Sequence, residues 1–500
     1  MIKRIIKILL IIFLILALAI FYLSIFGIKT DRFNNQITNN ILKINKKISL
    51  NLNDTNYLLN PYNFTINIKN KNPQILLEGR TLDIKDIQTN VALKSLINDQ
   101  FLIDDLQIIS KEIKLNDIIA LVRIFQNSPQ LFFLDKIIKD GVVNVNISLN
   151  FDERGKIKKD YKIKGSVKKV KLNILNKFKL KNLDFNFDIN KNIYSLRKID
   201  MKLNNIKITS PLIEIKKKKN FFFVKGFASS KKKEFDIEQV KTIFANLFTE
   251  IDIKNVEFSS TNNFSFNVSK KLKFNNFKVQ SVIDLNQIIF KTKNLKFKSY
   301  LPNLVDEIKL EDHKIDIDYN KNKVDIKGYG NFSLENKIDS LSYQIIKNKK
   351  NILFDSIINL KNNSLLIDFL EYEKKEDHNS LISIKGNLKK NNEVRFDLIS
   401  LKEKENLIKI EGLVLNKNFQ ILDITNFHIN YRNNKKIFNQ LILKKNNSNF
   451  IINGKSFDAS TIIDNIMDNE KESSIFLKHL NPKIKIKIKK TYIDETNYIN

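Results

Sequence analysis

Chemistry that needs converging donors has few candidates in this chain. Its four histidines, His313, His378, His428 and His479, lie far apart and never fall at the i, i+4 spacing that sets two imidazoles on one helical face. Two of them close Glu-Asp-His triplets, Glu311-Asp312-His313 and Glu376-Asp377-His378, where a metal or an acid/base pair is conceivable. Turns between strands use the same residue types, and we read the triplets as such turns. There is no G-x-S-x-G elbow, no phosphate-cradling glycine loop and no dinucleotide fingerprint. Cysteine is absent, which excludes disulfides and thiolate metal sites. The expectation is a protein without cofactor, metal or catalytic residues, and not an enzyme.

What remains is apolar contact. Val143, Val145 and Ile147 alternate with Asn144, Asn146 and Ser148, which puts the two sets on opposite faces of a strand. The pattern recurs at Phe185 and Phe187, at Phe264 and Phe266, and at Ile315 and Ile317, and it is still running at Ile484, Ile486 and Ile488. These residues are candidates to line an apolar groove. The run Phe221-Phe222-Phe223 fits either a core or a ligand contact, and in a groove the two coincide.

The elements that position them are therefore strands, separated by short Asn- and Lys-rich turns, in a mainly antiparallel sheet with one dry face. At roughly 12 residues per strand and turn, the chain beyond Phe64 holds about 30 to 35 strands. Three helical patterns interrupt it. Ile118, Leu121, Val122 and Phe125 follow Asn116 or Asp117 and stop before Pro129; Val240, Ile243, Phe244 and Leu247 follow Asp236; Ile462, Ile463, Ile466 and Met467 follow Asp458 or Ser460. Each reads as a lid packed on the apolar face. Six of the eleven glycines, Gly165, Gly226, Gly328, Gly386, Gly412 and Gly454, come late in strands, which suggests recurrent bends or bulges.

Upstream, residues 8–28 carry no charge, long enough as a helix to cross the ~30 Å apolar core of a bilayer. Ile8, Leu16, Phe21 and Ile28 mark this anchor. Ala17-Leu18-Ala19 resembles a signal-peptidase site, but the apolar run continues through Phe26, so a retained anchor is expected. The seven residues before it form a short cytoplasmic tail, leaving a large exported body. Residues 29–63 read as a polar juxtamembrane passage, with Ile37, Ile41 and Ile44 at helical spacing.

The net charge of +32 comes from lysines spread evenly along the chain, unlike the patch that nucleic acid selects. Nucleic acid is thus not an expected partner, and some attraction to anionic lipid head groups is the other reading that such a charge allows. An outer-membrane barrel is excluded by polarity, since it needs its apolar face outward and a cleaved signal rather than an anchor.

The opening of the body resembles a known family. Pro73-Gln74-Ile75-Leu76-Leu77-Glu78-Gly79, then Leu82-Asp83-Ile84, Val91-Ala92-Leu93-Lys94-Ser95-Leu96-Ile97 and Phe101-Leu102-Ile103-Asp104-Asp105-Leu106-Gln107-Ile108 look like the start of AsmA-like proteins of the DUF3971/YhdP type, related to TamB. The sharp part of the likeness covers residues 73–129. It implies an inner-membrane anchor and, over residues 64–500, a periplasmic β-groove: an elongated, coiled antiparallel sheet with a few short amphipathic helices. It also implies that phospholipid is bound or conducted toward the outer membrane, supporting envelope integrity. A protein partner in the periplasm or outer membrane is expected at the carboxyl-terminal end. The alternative is an outer-membrane protein assembly factor acting by β-augmentation.

Overall fold

A computed structural model describes residues 2–44, 46–77, 79–93, 103–125, 128–152, 156–174, 178–235, 253–291, 300–302, 307–334, 336–389, 393–417, 420–447, 449–467, 483–494 and 496–499. The chain is mainly β, with 31 strands among the described residues, and it divides into two compact units. Unit 1 is Met1–Ala228 with Ser265–Asn275; unit 2 is Ser229–Phe264 with Asn276–Asn500.

Unit 1 opens with helix α1 (Ile2–Ile25), apolar and long enough to cross a membrane over Lys3–Ile25. Gly27 ends it at φ +64, with the Phe26 and Gly27 amides both donating to the Tyr22 carbonyl. Ile28, expected within the apolar helix, instead starts strand β1 (Ile28–Thr30), and the helix ends three residues earlier than the uncharged run suggests. Helix α2 (Asn34–Ile44) follows as its spacing predicts. Then come β2 (Ile48–Asn51), β3 (Thr55–Asn60), β4 (Thr65–Lys71), β5 (Gln74–Leu77), β6 (Arg80–Ala92), β7 (Ile103–Ser110) and β8 (Ile113–Lys114). The sheet thus begins inside the passage 29–63, ahead of the change of periodicity at Phe64.

Helix α3 (Leu115–Phe125) matches the first helical pattern, and Pro129 does not merely follow it but opens helix α4 (Pro129–Ile137), capped by the Ser128 side chain. Strands β9 (Ile138–Asn150), β10 (Lys162–Ile174), β11 (Phe178–Asn190), β12 (Ile193–Leu203) and β13 (Ile206–Lys217) complete the ladder β1–β3–β4–β6–β7–β9–β10–β11–β12–β13, antiparallel throughout. Strands β14 (Phe221–Phe235) and β15 (Ile253–Ser269) have residues in both units.

Strand β16 (Phe274–Lys291) likewise begins in unit 1 and runs on in unit 2, which continues with β17 (Glu307–Asn320), β18 (Lys323–Leu334), β19 (Lys337–Asn348), β20 (Asn351–Leu360), β21 (Leu365–Ile367) and β22 (Tyr372–Lys374). After them run β23 (Ser380–Lys389), β24 (Val394–Glu403), β25 (Asn406–Leu415), β26 (Ile421–Asp423), β27 (Asn426–Arg432), β28 (Phe438–Asn446) and β29 (Asn449–Asp458). Helix α5 (Ser460–Met467), β30 (Ile484–Tyr492) and β31 (Tyr498–Ile499) end it. From β16 to β29 the neighbours are antiparallel, but β30 lies parallel to β29. The stretch of sequence between Asp458 and Ile484 is far longer than a hairpin turn, as parallel pairing requires. Strands β21 and β22 pair only with each other and stand apart from the main ladder.

The sequence placed the Glu-Asp-His triplets in turns, and for the first that is wrong. Glu311-Asp312-His313 lies within β17, at a register shift against β18 where Asp312 takes φ +52. Glu376-Asp377-His378 does sit in the loop between β22 and β23. The second lid pattern, Val240, Phe244 and Leu247, lies outside the described residues.

Candidate functional site

Residues that oppose each other across a ladder share a face. In unit 1, Ile87, Ile108, Ile147, Ile163, Ile189, Tyr194 and Ile215 oppose one another in turn on the seven strands β6, β7, β9, β10, β11, β12 and β13. All seven are half-buried. Next to this row runs Val145, Gly165, Phe187, Leu196 and Ile213, and then Val143, Val167 and Phe185. The opposite face is polar: Asn146, Lys164, Asp188, Ser195 and Glu214 stand in register, with Lys164 3.6 Å from Asp188 and Lys216 3.1 Å from Glu214. Alternation of period two has become two continuous surfaces.

The apolar surface reaches back to the end of α1. Ile28 opposes Tyr57, Tyr57 opposes Ile68, and the row continues through Thr89 and Leu106 to Leu149, two residues along β9 from Ile147 and on the same face. At its edge the row through Thr55 and Asn70 is polar and buried. There Asn70 Nδ2 donates to the Asn53 carbonyl at 2.7 Å and to Thr55 Oγ1 at 2.9 Å, and Thr55 Oγ1 donates to Asn34 Oδ1 at 2.8 Å. Asn34 and Thr38 of α2 also donate to the Leu52, Asn53 and Leu50 carbonyls. The asparagines of the juxtamembrane passage thus satisfy backbone groups and fasten α2 to the sheet.

Helix α3 covers part of this face, as a lid should. Ile118 and Leu121 pack on Leu82, Ile84 and Ile113, while Leu115 and Ile118 pack on Val143, Val167 and Val170. The inward residue missed by the pattern is Ile119, 6% exposed, whereas Val122 is 40% exposed and faces away. The third lid pattern is helical in α5, but its Ile462 and Ile463 are each 37% exposed and form no closed lid.

In unit 2 the equivalent row is Ile317, Ile326, Ile345, Phe354, Gly386, Phe396 and Leu413, across β17, β18, β19, β20, β23, β24 and β25. Ile315 stands beside it, opposite Gly328, and it and Ile317 are half-buried. Phe264 of β15 is half-buried as well; Phe266 of the same strand belongs to unit 1, where it is half-buried and its ring centroid lies 5.6 Å from that of Phe274.

Three glycines have a role other than the bend expected of them. A Cβ on Gly165 would stand 2.6 Å from Phe187 Cζ, one on Gly328 2.4 Å from Tyr343 Cζ, and one on Gly386 2.9 Å from Phe354 Cζ. In each case a ring from the neighbouring strand lies over the bare backbone, so the pair fills one ring-sized place on the apolar face. Gly386 also adjoins a register shift, and Gly412 at φ +64 interrupts pairing between Glu411 and Leu413.

One feature of unit 2 has no counterpart in the sequence reading. The hairpin β21–β22, with a 3₁₀ turn Asp368–Leu370, folds onto the sheet. Leu370 and Tyr372 join Leu401, Ile408, Ile429, Tyr431 and Leu441 in one core. Tyr372 OH donates to Glu403 at 2.6 Å, and His378 Nδ1 lies 3.1 Å from the other Glu403 oxygen. Burial and the Glu403 carboxylate push the Tyr372 phenol pKa far up, so it stays a donor. The Lys374 ammonium, fully buried, donates to the Lys361 and Asn363 carbonyls at 2.6 and 2.5 Å, and burial pushes its pKa down. The sequence signal was faint: Leu365-Leu366-Ile367 followed by Phe369-Leu370 breaks the period of two.

The remaining histidine of the triplets, His313, is 1% exposed beneath Gly330, with Nε2 2.8 Å from the Asn331 carbonyl. Burial lowers its pKa. Among the described residues no three His, Asp or Glu side chains are grouped to hold a metal ion. No family model matches the chain, and no curated protein matches it in sequence.

Proposed function

We propose that this protein binds phospholipid acyl chains along the apolar face of its sheet and leads them away from the bilayer in which α1 is set. The observation that carries this reading is the apolar stripe from Ile87 to Ile215 across seven strands of unit 1, flanked on the same face by the row Ile28, Tyr57, Ile68, Thr89, Leu106 and Leu149 that leads back to the end of α1. At ~4.8 Å per strand, the seven-strand stripe from Ile87 to Ile215 measures roughly 29 Å. A single leaflet contributes only about half of a ~30 Å hydrocarbon core, so the stripe is long enough for a whole acyl chain. Its half-buried isoleucines offer contact without being sealed into a core.

The AsmA-like likeness of residues 73–129 extends the proposal: an inner-membrane anchor, a periplasmic body and transfer of phospholipid toward the outer membrane. The test is site-specific photo-crosslinking in cells with benzoylphenylalanine at Phe187 and at Ile163. Lipid adducts detected by mass spectrometry are expected. Protein adducts in their place support the assembly-factor alternative, and no adduct at either position refutes both.

A further inference from the structure

Along the apolar face of unit 2, exposure changes abruptly. Ile317, Ile326, Ile345 and Phe354, on β17 to β20, are half-buried. Ile429, Tyr431 and Leu441, on β27 and β28, are 0%, 1% and 6% exposed. What closes the second stretch is the chain's own hairpin, inserted between β20 and β23. Leu365, Ile367, Phe369, Leu370 and Tyr372 lay an apolar underside on the strands β24 to β28.

The hairpin is secured at both ends. At its neck Asp339 accepts the amides of Lys361, Asn362 and Asn363 at 2.7, 2.9 and 2.9 Å, while Lys374 reaches back to two carbonyls of the same segment. At its tip Tyr431 OH donates to the Leu370 carbonyl at 2.6 Å. Glu371, at φ +46, accepts from Lys435 at 2.7 Å and from Thr461, and its carbonyl accepts the Asn434 amide at 3.1 Å. Between neck and tip the Tyr372 and Tyr431 rings meet edge to face at 5.5 Å. A lid that opens in ordinary use is drawn from segments with few buried contacts and exposed hydrogen bonds. This hairpin has the opposite character: Asn363, Tyr372 and Lys374 are buried and hydrogen-bonded to Asp339, Glu403 and the neck carbonyls, and lifting it breaks these bonds together.

We infer that residues 361–378 form a fixed stopper, which shuts the apolar face of unit 2 over β24 to β28 and leaves β17 to β20 as the stretch that takes acyl chains. The inference rests on the lipid-binding reading and adds the segment that ends the lipid path in this unit.

The experiment uses the full chain reconstituted in phosphatidylethanolamine–phosphatidylglycerol vesicles, with benzoylphenylalanine at Ile345 or at Phe427, which packs against the stopper's core. Lipid adducts at Ile345 and background signal at Phe427 are expected. Adducts at both positions overturn the stopper and leave lipid binding standing. No adduct at Ile345, with none at Phe187 either, overturns lipid binding and the stopper with it. Tyr372→Ala provides the second arm: where its circular dichroism matches the parent, adducts at Phe427 should appear, and their absence counts against the stopper. If Tyr372→Ala does not fold, the contrast between the two positions in the otherwise unaltered chain decides alone.

Discussion

Gly328 and Tyr343 show how single positions shape the surface on which the proposed function rests. The Tyr343 ring occupies the place where a side chain on Gly328 would stand. Gly328→Val forces the ring off and overpacks the site, and should cost about 1–3 kcal/mol in urea unfolding. Tyr343→Ala in the same background should recover part of that loss, because it removes the clash. His313 makes a separate prediction. Its folded pKa lies below the unfolded value, so the stability it gives is present above pH 6.5 and is lost as pH falls through the folded value. Unfolding midpoints at about pH 7.5 and about pH 5.5 should differ less for His313→Gln than for the parent, and an unchanged difference would contradict this. Little of either case was legible in the sequence. Gly328 announced a special backbone position but not the ring above it, and His313 lay in a triplet whose composition is that of a turn.

Among the elements, the strands were readable because one variable, the alternation of apolar and polar residues, decides both their existence and their face. Val143, Val145, Ile147, Phe185 and Phe187 do share a face, as their spacing requires. Helix α3 was readable from the same kind of periodicity, though its phase was off by one residue at Ile119. The β21–β22 hairpin was not, since its difference from an ordinary strand pair lies in contacts with Glu403, Tyr431 and Lys435, far along the chain. The join between α1 and β1 also depends on position more than pattern. Gly27 has φ +64, and a Cβ there would meet the Tyr57 carbonyl oxygen at 2.5 Å. Gly27→Val should therefore break the pairing of Ile28 with Tyr57, at a cost of about 1–3 kcal/mol, while leaving α1 inserted. Faster amide exchange at Ile28 and Tyr57, with unchanged membrane fractionation, is the expected result.

For the molecule as a whole, the charge of +32 bears on the surface against which the anchored end works. Lysines and carboxylates lie interspersed on the polar face, so attraction to anionic lipid is diffuse and screened over roughly 8 Å at physiological salt. A body lacking residues 1–26 should sediment with phosphatidylglycerol vesicles at low salt and be released as salt rises, and it should ignore phosphatidylcholine vesicles throughout. Binding to both lipids with no salt dependence would mean that apolar contact, not charge, brings the body to the bilayer.

The pairing of Ile28, Lys29 and Thr30 with β3 begins a single residue after Gly27. A body hung on a loose tether turns freely whatever its helix does. Here the first strands are geared to the helix, so a tilt of α1 is passed on as a tilt of the sheet's opening rows. Under the proposed function, bilayer thickness, which sets the tilt of a membrane-spanning helix, thereby becomes a mechanical input to the angle at which the apolar face meets lipid.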